Sequence, residues 1–193
     1  MAAEPAPAGF AEDVLAMLPR LRAYARFLAR DPPAADDLVQ DTIVLALRAW
    51  HQFTPGTNLE GWLLTIERNH FRSLRTRHYV TAEVGVDDLG PLASVPAFQE
   101  GLAELRDFKA AFARLSPHHR EALVLHVVHG LPYEQVAAVA GCAVGTVKSR
   151  INRARATLKA MLLGEEAPEG DGRERPSRRA RAGVGRPEHP AAS

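Results

Sequence analysis

Cationic side chains set at helical spacing are the most chemically pointed feature of this chain. Lys148, Arg150, Arg153, Arg155 and Lys159 crowd the stretch from Val144 to Lys159, and no acid lies among them. An arginine can grip a guanine edge through two parallel hydrogen bonds, and a lysine suits a phosphate. Between these cations Val147, Ile151, Ala154 and Leu158 recur in steps of four, three and four, which puts them on one stripe of a helix. The opposite side then carries Gly145, Ser149, Asn152 and Arg153, with Thr146 and Lys148 on its flanks. Thr146, Lys148, Ser149, Asn152 and Arg153 are therefore candidates for reading duplex DNA, and Gly145 leaves room for a close approach. A solvated basic face on an ordinary helical hairpin would explain any one of these features. Their combination favours DNA.

The elements that must position these side chains are legible just upstream. Leu131 to Leu158 reads as a short helix, a tight turn and a longer basic helix, the order of a helix-turn-helix. Pro132 suits a first helical turn, where its missing N–H costs nothing. Val136, Ala137 and Ala140 make a small apolar face that another helix can approach closely. Gly141 stands where the chain must turn, and glycine adopts positive φ cheaply.

A second candidate surface lies earlier, on a helix predicted from about Leu59 to Tyr79. Its core contributors are expected to be Trp62, Leu63, Ile66 and Phe71. Its second half carries Arg68, Asn69, His70, Arg72, Arg75, Arg77 and His78 with aromatics interleaved. Bases stack on aromatics and phosphates need cations, so the pattern suits single-stranded or melted DNA. By spacing alone a plain basic surface helix fits as well.

Composition bounds the function. In 193 residues, 46% hydrophobic content supports one or two small domains, and a net charge of +1 means that any positive surface is local. The single Cys excludes an intramolecular disulfide and suits a reducing cytoplasm. No run approaches the ~18 apolar residues of a membrane helix, and MAAEPAPAGF lacks the form of a secretory signal. His118, His119, His126 and His129 cluster in sequence, but without a matching carboxylate or thiol set they do not predict a metal, and no cofactor is expected. Cys142 reads as a small turn residue. No nucleophile–base pair and no phosphate-binding glycine loop points to an enzyme.

Strand-like alternation is absent, so the expected fold is all-α: two small helical domains joined by a flexible linker. Residues 1–9 are Ala/Pro-rich and expected to be loose, and 10–80 are helical. Residues 81–97 mix Gly, Pro and acids as a linker does. Residues 98–163 hold the helix-turn-helix. From 164 to 193 the chain has little to bury and is expected to be disordered, with an Arg cluster from Arg173 to Arg181. Leu15, Leu18, Leu21, Ala25 and Leu28 form one predicted stripe, with Arg22, Arg26 and Arg30 on a solvated face. Asp31-Pro32 is a cap followed by a first-turn proline, opening a helix that runs to about Trp50. The later part of that helix, IVLALRAW, is apolar on more than one side, which implies burial in a core or against a partner.

The segment AADDLVQDTIVLALRAWHQFTPGTNLEGWLLTIERNHFRSLRTRH resembles region 2 of the extracytoplasmic-function (ECF) sigma factors. LSPHHREALVLHVVHGLPYEQVAAVAGCAVGTVKSRINRARATL is similar to region 4 of the same family. Within that family, GTNLEGWLLTIERNHFRS looks similar to the group that directs general stress responses. The resemblance implies a protein that carries core RNA polymerase to promoter DNA and helps open it. It places polymerase contacts on Asp37, Leu38, Gln40 and Asp41. Asn69 would take a melted −10 base, with Arg72 and Arg75 beside it for the backbone and the loop Thr54 to Asn58 as a wall. Lys148, Ser149, Asn152 and Arg153 would read the −35 element, and an anti-sigma factor would clamp both halves. Two rivals remain at this level: a sigma-like decoy that only sequesters an anti-sigma factor, and a stand-alone helix-turn-helix regulator.

Overall fold

The computed structural model describes residues 6–81 and 102–165. Among them the regular structure is helical and no strand occurs. The first half contains α1 (Ala8–Ala16), α2 (Leu18–Ala29), α3 (Pro32–Arg48) and α4 (Leu59–Thr81), with a short 3₁₀ turn at Trp50–Gln52. The second contains α5 (Leu102–Arg114), α6 (Pro117–Leu123), α7 (Tyr133–Ala140) and α8 (Val144–Leu163). The expected linker and tail lie outside the described residues, apart from Thr81, Gly164 and Glu165.

Local chemistry explains most helix boundaries. Asp31 caps α3 by accepting the Ala34 N–H at 3.1 Å, and two prolines follow where no N–H is needed. Ser116 does the same for α6 through the His119 N–H. The chain does not stay loose to residue 9, because α1 begins at Ala8. The single stripe expected from Leu15 to Leu28 is broken at Met17. Pro19 has no N–H to give to the Leu15 carbonyl, so the first helix stops and α2 begins anew at Leu18. Leu15 is consequently 52% exposed, while Val14 takes the buried position.

In the first half α2, α3 and α4 pack on one another around Leu21, Tyr24, Ala25, Leu38, Val39, Ala46, Leu63 and Leu64. Of the four residues expected to anchor α4, only Leu63 is fully buried. Trp62, Ile66 and Phe71 are half-buried and pack along the margin of the core. Trp62 meets Phe10 and Phe53 edge-on or tilted, which ties α1 and the loop before α4 to that margin. The apolar excess of α3 is partly absorbed here by Ala46 and by half-buried Ile43 and Leu45. Val44 stays 44% exposed.

In the second half α8 lies against α5, α6 and α7. Its predicted stripe is the buried one: Val147, Ile151 and Ala154 have no exposure and Leu158 has 9%. After α6 the backbone widens into a π-helical turn at Val124–Val128, and it reverses at Gly130 (φ 68°). The two halves are also in contact, because α4 packs on α7 and the buried residues of both form one continuous core.

Candidate nucleic-acid interface

The turn between α7 and α8 fixes the aim of α8. Gly141 is left-handed at φ 62°, its N–H bonds to the Ala138 carbonyl, and the Cys142 N–H reaches back to Ala137. This pair of bonds is a Schellman ending, and it halts α7 in one residue. Ala143 then turns extended (φ −71°, ψ 149°) and α8 starts. With the stripe of Val147, Ile151, Ala154 and Leu158 buried, the outer face is left to Gly145, Lys148, Asn152 and Arg153, all exposed. Thr146 and Ser149 are half-buried at its edges. All five predicted reading residues thus sit together on or beside one open face.

Arg150 departs from the rest of the cation cluster. It is half-buried, and its Nη1 donates to Cys142 Sγ at 3.6 Å. Cys142 is therefore held in the turn by a partner from α8. Four cations remain on the open side: Lys148, Arg153, Arg155 and Lys159, all exposed. Four phosphate contacts from α8 contribute about −3.6 to the slope of log K against log salt on duplex DNA, and cations elsewhere in the chain add to it. Titrating the full chain against duplex DNA at several salt concentrations checks this. Lys148→Ala should flatten the slope by about 0.9, and Arg150→Ala should leave it unchanged.

On α4 the structure sorts the basic residues into two groups. Asn69 and Arg72 are exposed, and Arg75 is half-buried with its guanidinium 5.9 Å above the Phe71 ring. That cation–π contact steadies Arg75 next to the position predicted to meet a base. Asn69 and His70 line a shallow open cavity of about 290 Å³, whose other walls are Leu45, Ala49, Gln52, Trp62 and Ile66. Apolar walls with the Asn69 and Gln52 amides and the His70 ring among them suit a flat heteroaromatic ring. The loop expected to wall this site does not reach it. Thr57 turns back onto the Thr54 carbonyl, and Asn58 caps α4 through the Gly61 N–H. Gln52 and Trp62 take that place.

Arg68 does not belong to the exposed basic surface of α4. It is 6% exposed and forms a two-pronged ion pair with Glu121 of α6, with its Nη2 at 3.1 Å from Oε2. Burial pulls its pKa down, and the Glu121 hydrogen bond and charge more than restore it. Tyr24, itself fully buried, donates its hydroxyl to the same carboxylate at 3.1 Å, and burial with the Glu121 charge beside it keeps the phenol protonated. Neighbouring Glu67 has no exposure, and neither carboxylate oxygen has a hydrogen-bond partner. Burial pushes its carboxyl up to about 9. Sequence reading missed this group. One signal was available: Leu63, Leu64, Glu67 and Phe71 follow the spacing of a single helix face, so Glu67 occupies a core position.

The predicted polymerase-contacting residues divide as well. Asp37, Gln40 and Asp41 are exposed on α3, with Asp41 Oδ2 2.8 Å from His70 Nε2. Leu38 is 1% exposed, so it supports this face from within the core and offers no contact surface of its own. The histidines have occupations other than metal: His126 Nδ1 donates to the Leu131 carbonyl, and His129 pairs with Glu60 at 2.8 Å. Among the described residues no three potential metal ligands converge, and no helix is long and apolar enough to cross a membrane.

Comparison with known proteins agrees with this geometry. Residues 14–79 match the family described as sigma-70 region 2, and residues 105–158 match sigma-70, region 4. The ECF RNA polymerase sigma factor EcfG of Rhodopseudomonas palustris is 45% identical over 152 residues, covering 78% of this chain and 83% of that protein. The RNA polymerase sigma factor CarQ of Myxococcus xanthus is 33% identical over 156 residues, covering 80% and 89%. Among solved structures, the sigma factor RpoE in complex with the anti-sigma factor NepR from Bartonella quintana superposes with a TM-score of 0.66. It is 39% identical, over 82% of this chain and 99% of that one. CnrH in complex with the cytosolic domain of CnrY gives 0.57 at 29% identity, over 81% and 89%. The exposed cationic face of α8 and the cavity beside Asn69 lie within the two matched regions, and the matches lead to one conclusion: this chain belongs to the ECF sigma factors, with region 2 in its first half and region 4 in its second.

Proposed function

We propose that this sigma factor recruits core RNA polymerase through the exposed Asp37, Gln40 and Asp41 face, seated on Leu38, and reads promoters at two sites. The α8 residues Thr146, Lys148, Ser149, Asn152 and Arg153 take the −35 duplex. Asn69, with Arg72 and Arg75, takes the opened −10 strand at the cavity between α3 and α4. The reading rests above all on one observation: two separate helices each bury one face and turn a polar, cationic face outward. The protein acts by binding, without catalysis of its own, in the cytoplasm where the polymerase works. The resemblance of GTNLEGWLLTIERNHFRS to the general-stress-response group supports control of stress-response genes, and the likeness to sigma factors solved with NepR and CnrY supports regulation by an anti-sigma factor.

Run-off transcription tests this. The purified chain added to core polymerase with a promoter library should give specific transcripts without another sigma factor. A decoy that only captures an anti-sigma factor gives none, and a stand-alone regulator gives none until a sigma factor is supplied.

A further inference from the structure

We infer that His70 is a second base-selecting side chain of the cavity beside Asn69, and that Asp41 is its positioning residue. This assignment rests on the proposed capture of the opened −10 strand at that cavity. Two rows of side chains border it. On α3, Asp41, Leu45 and Ala49 follow one another in steps of four, and on α4, Trp62, Ile66 and His70 do the same, so each row keeps to one side of its helix. All of them except Asp41 line the cavity. The rows run in opposite directions. Asp41 meets His70 at one end, and Phe53, beyond the α3 row, packs against Trp62 at the other. The stretch between is walled by Leu45, Ala49 and Ile66, and one end is closed by a polar pair.

Asn69 alone selects weakly. Its amide donates and accepts, so it can suit the edge of any base. Selection needs a second polar atom held at a fixed place, and the next residue on the helix supplies one. His70 Nε2 lies 2.8 Å from Asp41 Oδ2. An ionised carboxylate only accepts, so that nitrogen carries a proton and donates it to Asp41. Among the described residues Nδ1 has no hydrogen bond, which leaves it as the ring's polar atom for a base edge.

A pair whose acid is 57% exposed adds little to stability, because two side chains give up freedom to hold it. What it supplies is placement. Without Asp41 the imidazole turns about both of its side-chain bonds, and an entering base has to order it on binding. Docking on polymerase leaves this role intact. Asp41 gives Oδ2 to His70, and Oδ1 remains for a polymerase donor.

The test is binding of the full chain on core polymerase to fluorescent −10 single strands, each position replaced in turn by the other three bases. Asn69→Ala should narrow the base preference at one position. His70→Ala should narrow it at that same position, between about twofold and tenfold for one lost hydrogen bond, and leave the other positions alone. Asp41→Ala, with enough polymerase to restore the complex, should narrow it likewise. The double variant should go no further, since both changes remove one interaction. His70→Asn sets an amide where Nδ1 stands and should retain part of the preference. His70→Gln reaches only to the Nε2 position, keeps Asp41 paired and should lose it. An unchanged preference in His70→Ala, or an equal loss of affinity for all four bases, overturns the assignment. If Asn69→Ala narrows one position and His70→Ala none, only the role of His70 falls. If neither changes any position, the proposed −10 reading falls with it. Base-selective binding as described, without run-off transcripts, refutes the proposed function in initiation alone.

Discussion

Glu67→Gln will make the protein more stable at neutral pH, by about 3 kcal/mol, and will abolish most of its loss of stability toward alkaline pH. The Glu67 side chain has no exposure and neither oxygen is hydrogen-bonded, so the folded state keeps it protonated up to about 9 against 4.5 when solvated. Below pH 4.5 the carboxyl is protonated in both states and the difference vanishes. Above it the unfolded chain releases the proton and the native chain retains it. The unfolded state then binds fewer protons, and native stability falls by about 1.4 kcal/mol per pH unit until the folded group also ionises near 9. From 4.5 to 7 that slope amounts to about 3 kcal/mol. Glutamine has nearly the same volume and no proton to lose, so its stability curve should be flat where the wild type declines. Urea denaturation between pH 5 and 9 checks both quantities. For a domain of this size the shift in Tm at pH 7 is about 10 °C. Parallel pH profiles for the two proteins would show that Glu67 is solvated or paired in solution.

Local patterns in the sequence are borne out where a single helix decides the outcome. The stripe of Val147, Ile151, Ala154 and Leu158 is buried as its spacing requires, the Gly141 turn is left-handed, and Asp31 caps α3. Each depends on residues within one or two turns of each other. The break at Met17 was legible in principle too, because Pro19 cannot continue a helix begun at Ala8. The pattern of leucines across it is stronger than the proline to a reader of periodicity, and it misled.

What escaped the sequence depends on contacts across the fold. Arg68 sits in a basic run and looks like one more phosphate ligand. Only the arrival of Glu121, 53 positions away, turns it inward. Arg150 stands apart from the other cations of α8 beside Cys142 across the turn, and Leu38, expected among the polymerase contacts, lies on the side of α3 that is buried in the core. Charge and helical phase place a residue around its own axis. They do not say which neighbour covers it, and for Arg68 and Glu67 the neighbour decides between solvent, ion pair and neutral acid.

Asn69→Ala should reduce initiation from a cognate promoter between about fivefold and a hundredfold while leaving the affinity for core polymerase unchanged. A base drawn out of the duplex forfeits its stacking and pairing, a few kcal/mol that the protein must offset. At the cavity on α4 the walls from Leu45, Ala49, Trp62 and Ile66 supply apolar contact, and Asn69 supplies an amide able to donate and accept at once. Losing that pair of hydrogen bonds is worth about 1–3 kcal/mol of base recognition, hence the range. Arg72→Ala should weaken strand binding without regard to sequence, because a phosphate contact carries none. The discriminating substrate is a template already unpaired around the −10 position. If Asn69 recognises the extruded base, the defect of Asn69→Ala persists on that template, since the missing bonds are to the base itself. If Asn69 acts only in melting, the unpaired template restores full activity. The exposure of Asn69 at the rim of a cavity with apolar walls, where an extruded base could reach its amide, favours the first result.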